Sequence, residues 1–198
     1  MQKIESILNF WFGDLQADNQ IPHEKREIWF KKSEETDQTI REQFETDLLK
    51  AIEGTEDWEK TPRGILALII LFDQFSRNMF RNTAKAFAQD PLSLRLCLDG
   101  VSAKIDEQLR PVERIFFYMP LMHSEVLENQ KRCIQCFEKL LESTAPETRE
   151  MIKGSLDFAH RHCEIIEKFG RFPHRNEILG RPSSREEEEF LKQPGSSF

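Results

Sequence analysis

Apolar residues recur along this chain at spacings of three and four, the period of an α-helix with one buried face. Ile4, Ile7, Leu8 and Trp11 predict a first helix that stops near Gly13. Pro22 is placed to open a short second helix carrying Ile28, Trp29 and Phe30. Ile40, Phe44, Leu48 and Ile52 predict a third, ended by Gly54. Thr61 followed by Pro62 reads as an N-cap with proline at the first helical position. The run GILALIILF that follows is apolar on every side, which predicts a central, buried helix. Asp90 and Pro91 repeat the cap-plus-proline signal ahead of a stripe of Leu94, Cys97, Leu98, Val101 and Ile105. Pro111 opens a short helix with Ile115, Phe116 and Phe117, and Pro120 closes it. Ser124 is placed to cap a helix with Val126, Cys133, Phe137 and Leu140 inward. Pro146 starts a long helix through about Lys168, with Met151, Ile152, Ala159, Cys163 and Ile166 inward and Gly170 as its stop. Ser183 and Glu186 have capping-box spacing before a last short acidic helix. No segment alternates as a strand does. The prediction is an all-α fold of eight or nine helices in antiparallel hairpins, residues 1–192 forming one domain and 193–198 a loose tail.

Composition narrows the function. Sixteen Phe and three Trp among 198 residues supply enough apolar area for a proper core. A net charge of −7 argues against binding nucleic acid or anionic membrane, both of which need a positive field. The longest purely apolar run, 65–72, is far too short to span a bilayer. Glu5 interrupts the short apolar N-terminus, so it reads as mature protein. Four cysteines within helical patterns read as buried thiols of a cytoplasmic protein, because the Cys133-x-x-Cys136 pair has no second pair beside it. No Gly-rich phosphate loop, nucleophile elbow or H-E-x-x-H occurs, so no cofactor and no metal are predicted. His123, Glu125, His160 and His174 make a metal set only by arithmetic, without supporting spacing.

Polar chemistry concentrates in three places. If the buried helix continues through DQFSRNMFR at 73–81, Gln74, Arg77, Asn78 and Arg81 form a donor stripe beside the core face. Arginine forks suit carboxylate and phosphate, and Asp73, one turn before Arg77, is the obvious internal partner. In PLMHSE at 120–125, His123 and Glu125 stand near a helix start, where acid–base work or simple capping are both open. The third stretch is FGRFPHRNEILGR at 169–181. Phe169, Phe172 and Pro173 anchor a rigid loop that presents Arg171, His174, Arg175 and Asn176 in alternating directions. On the preceding helix, His160 lies at the core margin and His162 on a solvated side.

The ordered motifs FWFG (10–13), DQFSRNMFR, AFAQDP (86–91), PLMHSE, FGRFPHRN (169–176) and LGR (179–181) resemble the bacterial family called domain of unknown function 924. Ser76 departs from the resemblance, which leads one to expect proline there. The resemblance implies a tetratricopeptide-like α-α superhelix and no particular activity. Three readings follow. In the first, Asp73, Gln74, Arg77, Asn78, Arg81, Arg171, His174, Arg175 and Asn176 line a pocket for a small anionic molecule, with His123, Glu125 or His160 as acid or base. In the second, the arginines hold an acidic peptide or C-terminal carboxylate in a superhelical groove. In the third, they are internal ion pairs that fix helix packing, with Asp73, Asp90, Glu125 and Glu164 as available partners.

Overall fold

The structure, a computed structural model, describes residues 2–15, 23–54 and 57–196. These residues are mostly helical, joined by short turns, with no strand among them. The elements are α1 (Gln2–Phe12), α2 (His23–Phe30), α3 (Glu34–Glu53), α4 (Pro62–Ile69), α5 (Ser76–Met79), α6 (Asp90–Ser102), α7 (Pro111–Met122), α8 (Leu127–Ser143), α9 (Pro146–Phe169) and α10 (Arg185–Leu191). A π-turn, Ile70–Phe75, joins α4 and α5 into one rod, so the described residues form nine helices. Pro22, read as opening α2, lies outside the described residues.

Local chemistry sets most boundaries. Gly13 and Gly170 take positive φ (73° and 68°) directly after α1 and α9, a conformation glycine adopts without a Cβ penalty. Thr61 accepts from the Gly64 amide at 3.1 Å and Pro62 opens α4. The predicted last capping box is shifted by one residue: Ser184 accepts from the Glu187 amide and Glu187 accepts from that of Ser184.

The α4–π–α5 rod is the axis of the fold. Ile65 to Phe75 is buried except Gln74. Its Phe75 meets Trp11 edge-on at 5.7 Å and Phe44 at 4.8 Å, while Phe116 packs on Trp11 at 5.4 Å. Helices α1, α3, α6 and α7 all touch the rod, and α7, α8 and α9 pack in chain order beyond it. A core built from such rings is worth roughly 1.5–3 kcal/mol for each side chain taken out of water.

Four expectations are corrected. Ile52 is 40% exposed, and Ala51 takes its place on the buried face of α3. On α6 the buried stripe is Ser93, Leu96, Cys97 and Gly100, rotated from the predicted one because Gly100 lets the Phe117 ring approach. Pro120 does not end α7, which runs on to Met122. Buried Phe116, Phe117, Leu121 and Met122 hold that turn despite the missing backbone donor. Ser124 does not cap α8 either. Val126 stands at the cap position, 55% exposed, and the Ser124 hydroxyl accepts from the Val126 amide and the Asn129 side chain.

Candidate functional site

The site begins at the π-turn. A π-turn is a rare, strained insertion in a helix and is often found where a protein does chemistry. This one carries Asp73, whose carboxylate is wholly buried. Ser76, in place of the expected proline, closes the turn by donating its hydroxyl to the Leu71 carbonyl at 3.4 Å.

Three donors converge on Asp73. Oδ1 faces His123 Nδ1 at 2.7 Å and accepts from Arg77 Nη2 at 3.1 Å and Nε at 3.3 Å, and Oδ2 accepts from Gln74. Burial raises the carboxyl, but the charge of Arg77 and the hydrogen bonds from His123 and Gln74 override it, so the group is held far below the usual carboxylate range. Burial is the largest influence on His123, and with Arg77 and Arg175 nearby it outweighs Asp73 and lowers the imidazole. A charged carboxylate facing a neutral ring leaves one arrangement. Nδ1 carries the proton and donates to Asp73, and Nε2 keeps a lone pair. That is the orientation of a histidine ready to accept a proton.

His123 is set in place by a residue that sequence reasoning passed over. The fully buried amide of Gln130 donates to the carbonyls of Met122 at 2.7 Å and Ser124 at 2.6 Å. These carbonyls flank His123 at the end of α7 and would otherwise be orphaned.

The second half of the site comes from the loop after α9 and from α6. Arg77 Nη2 also donates to Asp90 at 2.8 Å, and Arg175 Nη1 lies 3.5 Å from the same carboxylate. Asp90 is therefore the first residue of α6, not its cap, and its side chain serves the cluster instead of the helix. The Arg175 guanidinium is sandwiched between the rings of Phe87 (4.8 Å) and Phe172 (4.5 Å). Burial, then repulsion from Arg77, pulls Arg175 down to about 10, still a cation at neutral pH. Its Nε is buried without a hydrogen-bond partner. With two aromatic rings packed this close to it, the guanidinium keeps its in-plane N–H edge for recognition.

His162 and His174 complete the surroundings. His162 stands 6.3 Å from His123 and 5.5 Å from Phe172, ring to ring, and His174 is 5.7 Å from Phe172. Burial pushes them down to about 3 and about 4, so both are neutral near pH 7. The expectation that His162 is solvated is corrected: it is buried. Its spacing carried the signal, since it lies three residues after Ala159 and four before Ile166, both core positions. His160, by contrast, is exposed on α9.

The remaining predicted residues do not join this cluster. Helix α5 ends at Met79, so the predicted donor stripe breaks there. Asn78 (2.8 Å) and Arg81 (2.7 Å) turn to Asp37 on α3. Arg171 forks onto the buried Glu187 at 2.7 and 2.8 Å, and Asn176 donates to Ser183 and Glu187. Glu125 accepts from the Phe172 amide at 2.8 Å and from Arg181 at 2.7 and 3.0 Å. Arg181 in turn donates to Asn176 and to the Phe172 carbonyl. Arg171, Asn176, Glu125 and Arg181 thus form a continuous brace around the loop. The brace fixes Phe172, and so one face of the Arg175 sandwich. Phe87, Gln130 and His162 are members that sequence reasoning did not select, whereas Asp90 is one of the partners expected for the arginines. Among the described residues no set of three or more His, Cys, Asp or Glu groups converges as metal ligands.

No curated protein matches this chain. A solved structure of a protein of unknown function from Agrobacterium tumefaciens is similar to it, with 30% identity over 96% of each chain and a TM-score of 0.78. The bacterial family of unknown function 924 matches residues 7–195. The chain belongs to that family.

Proposed function

We propose that Asp73, Arg77, His123 and Arg175 form a binding site for a small carboxylate or phosphate compound, at which His123 accepts a proton. The observation that carries this reading is the buried, unpartnered Nε of Arg175. A buried donor left unbonded costs about 1–3 kcal/mol, a penalty that an anion on that edge would remove. The edge of a guanidinium matches the two oxygens of a carboxylate or phosphate. The π-turn beneath Asp73 and the orientation of His123 support a chemical role at the same place.

The proposed site is close to neutral before the ligand arrives. Two arginines face two aspartates, and the three histidines are uncharged. An incoming anion then attracts a proton to His123. A ligand hydroxyl or an attacking water is the natural donor of that proton, which makes hydrolysis or proton abstraction the favoured class of reaction.

A second reading has one observation in its favour: Arg77 is closed on two carboxylates, as a purely structural cluster would require. A peptide-holding groove has less support, because Arg171, Arg181 and Arg81 are each closed on a carboxylate instead of standing open. Thermal shift with inorganic phosphate and malonate decides between the first two. At a hundred times its dissociation constant a ligand stabilises by about 2.7 kcal/mol, roughly 5–10 °C for a chain of this size. Arg175→Lys keeps the charge but loses the fork, and should remove the shift while the protein stays folded. No shift with any small anion would favour the structural reading.

A further inference from the structure

A separate, open depression of about 510 Å³ lies on the surface between α3 and the turn that follows α5. Arg41, Phe80, Arg81 and Lys85 line it, with Glu45 as its one lining carboxylate. Three cations against one anion is an unusual lining in a chain of net charge −7. Arg81 is neutralised by Asp37 behind it. Arg41 acts on the same Asp37 through its charge without touching it, and Lys85 makes no ion pair among the described residues. Arg41 gives Nη2 to the Met79 carbonyl, and Lys85 is exposed. Both hang over one ring: the Arg41 guanidinium carbon is 6.0 Å and the Lys85 nitrogen 5.8 Å from the centre of Phe80. A cation held by a ring keeps most of its hydrogen-bond donors, because the ring attracts the charge without accepting a directed bond. Asn82, at φ 62°, fixes the turn that brings Lys85 back over Phe80.

We infer that this depression is a second anion site, distinct from the Asp73 cluster and independent of the reading given to it. Arg41 and Lys85 would hold the charge of the ligand, and Phe80 and Ala84 offer apolar surface to its body. The volume falls within the range of small-molecule pockets, roughly 300–1,000 Å³. The ligand class is a small organic anion, a phosphate or carboxylate on an apolar or aromatic group.

Phenyl phosphate is a suitable probe, observed through the ring signals of Phe80 in ¹³C-phenylalanine-labelled protein. The expected result is a saturable shift of those signals that weakens with salt. Lys85→Ala, at an exposed position, should leave the melting temperature unchanged and weaken binding about tenfold or more. Arg41→Gln should weaken it too, with some loss of stability because it also frees the Met79 carbonyl. Arg175→Lys should leave the Phe80 shift as it is. The inference is overturned if Phe80 does not respond, if Lys85→Ala binds as the wild type does, or if Arg175→Lys abolishes the response.

Discussion

Replacing Asp73 with asparagine isolates the charge at the centre of the site. The substitution keeps size and one acceptor oxygen, so packing around the π-turn is preserved. It leaves Arg77 with Asp90 alone, and His123 facing an amide instead of a carboxylate. Breaking one partner of a buried ion pair costs about 3–5 kcal/mol. The retained Asp90 contact at 2.8 Å places Asp73→Asn near the lower end, about 3 kcal/mol. In a chain of this length that corresponds to roughly 6–12 °C in melting temperature. The acid limb adds an independent signature. The folded carboxyl is held below its unfolded value of about 4, so its stabilisation is complete above that pH and is lost as pH falls toward the folded value. Urea melts at pH 7 and pH 3 should therefore show the gap between wild type and Asp73→Asn narrowing in acid. A gap under about 1 kcal/mol at pH 7, or one unchanged at pH 3, would refute the assignment of a charged, triply bonded carboxylate.

Three further outcomes follow from the same contacts. Gly100→Ala would bring a Cβ within 2.4 Å of the Phe117 ring, so overpacking should cost about 1–3 kcal/mol in a chemical melt. Arg171→Ala strips Glu187 of the partner that holds it down to about 2; hydrogen exchange should rise across 183–196 while α1–α7 stay protected. His162, pushed by burial to about 3, gives stability that is complete above about pH 6.5 and declines as pH falls toward 3, so His162→Gln should flatten the melt profile in that window.

The helical fold was legible because burial of one face writes its period into the sequence. Caps at Thr61 and stops at Gly13 and Gly170 were legible for the same local reason. The π-turn was not, since an extra residue in a helix arises from packing and leaves no periodic mark in an all-apolar run. Pro120 misled because its local cost, about 3 kcal/mol, is outweighed by the buried residues on either side of it. Asp90 was legible as a carboxylate available to the arginines, but its second reading as a helix cap was local, and nothing in the sequence says that Arg77 and Arg175, from elements distant in sequence, are the ones that claim it. For the same reason the arginines looked like one patch. Sequence shows donors, but the carboxylates that claim Arg81, Arg171 and Arg181 are 44, 16 and 56 residues away. Arg175 stands apart because its neighbours are chiefly rings.

The most direct test of the proposed site is the Nε–H of Arg175 itself, followed by ¹⁵N NMR during titration with phosphate or malonate. Burial of that atom should slow its exchange enough to be seen. The account predicts a downfield, saturable shift that is absent in Arg175→Lys. An Nε–H signal that stays fixed through the titration would contradict it.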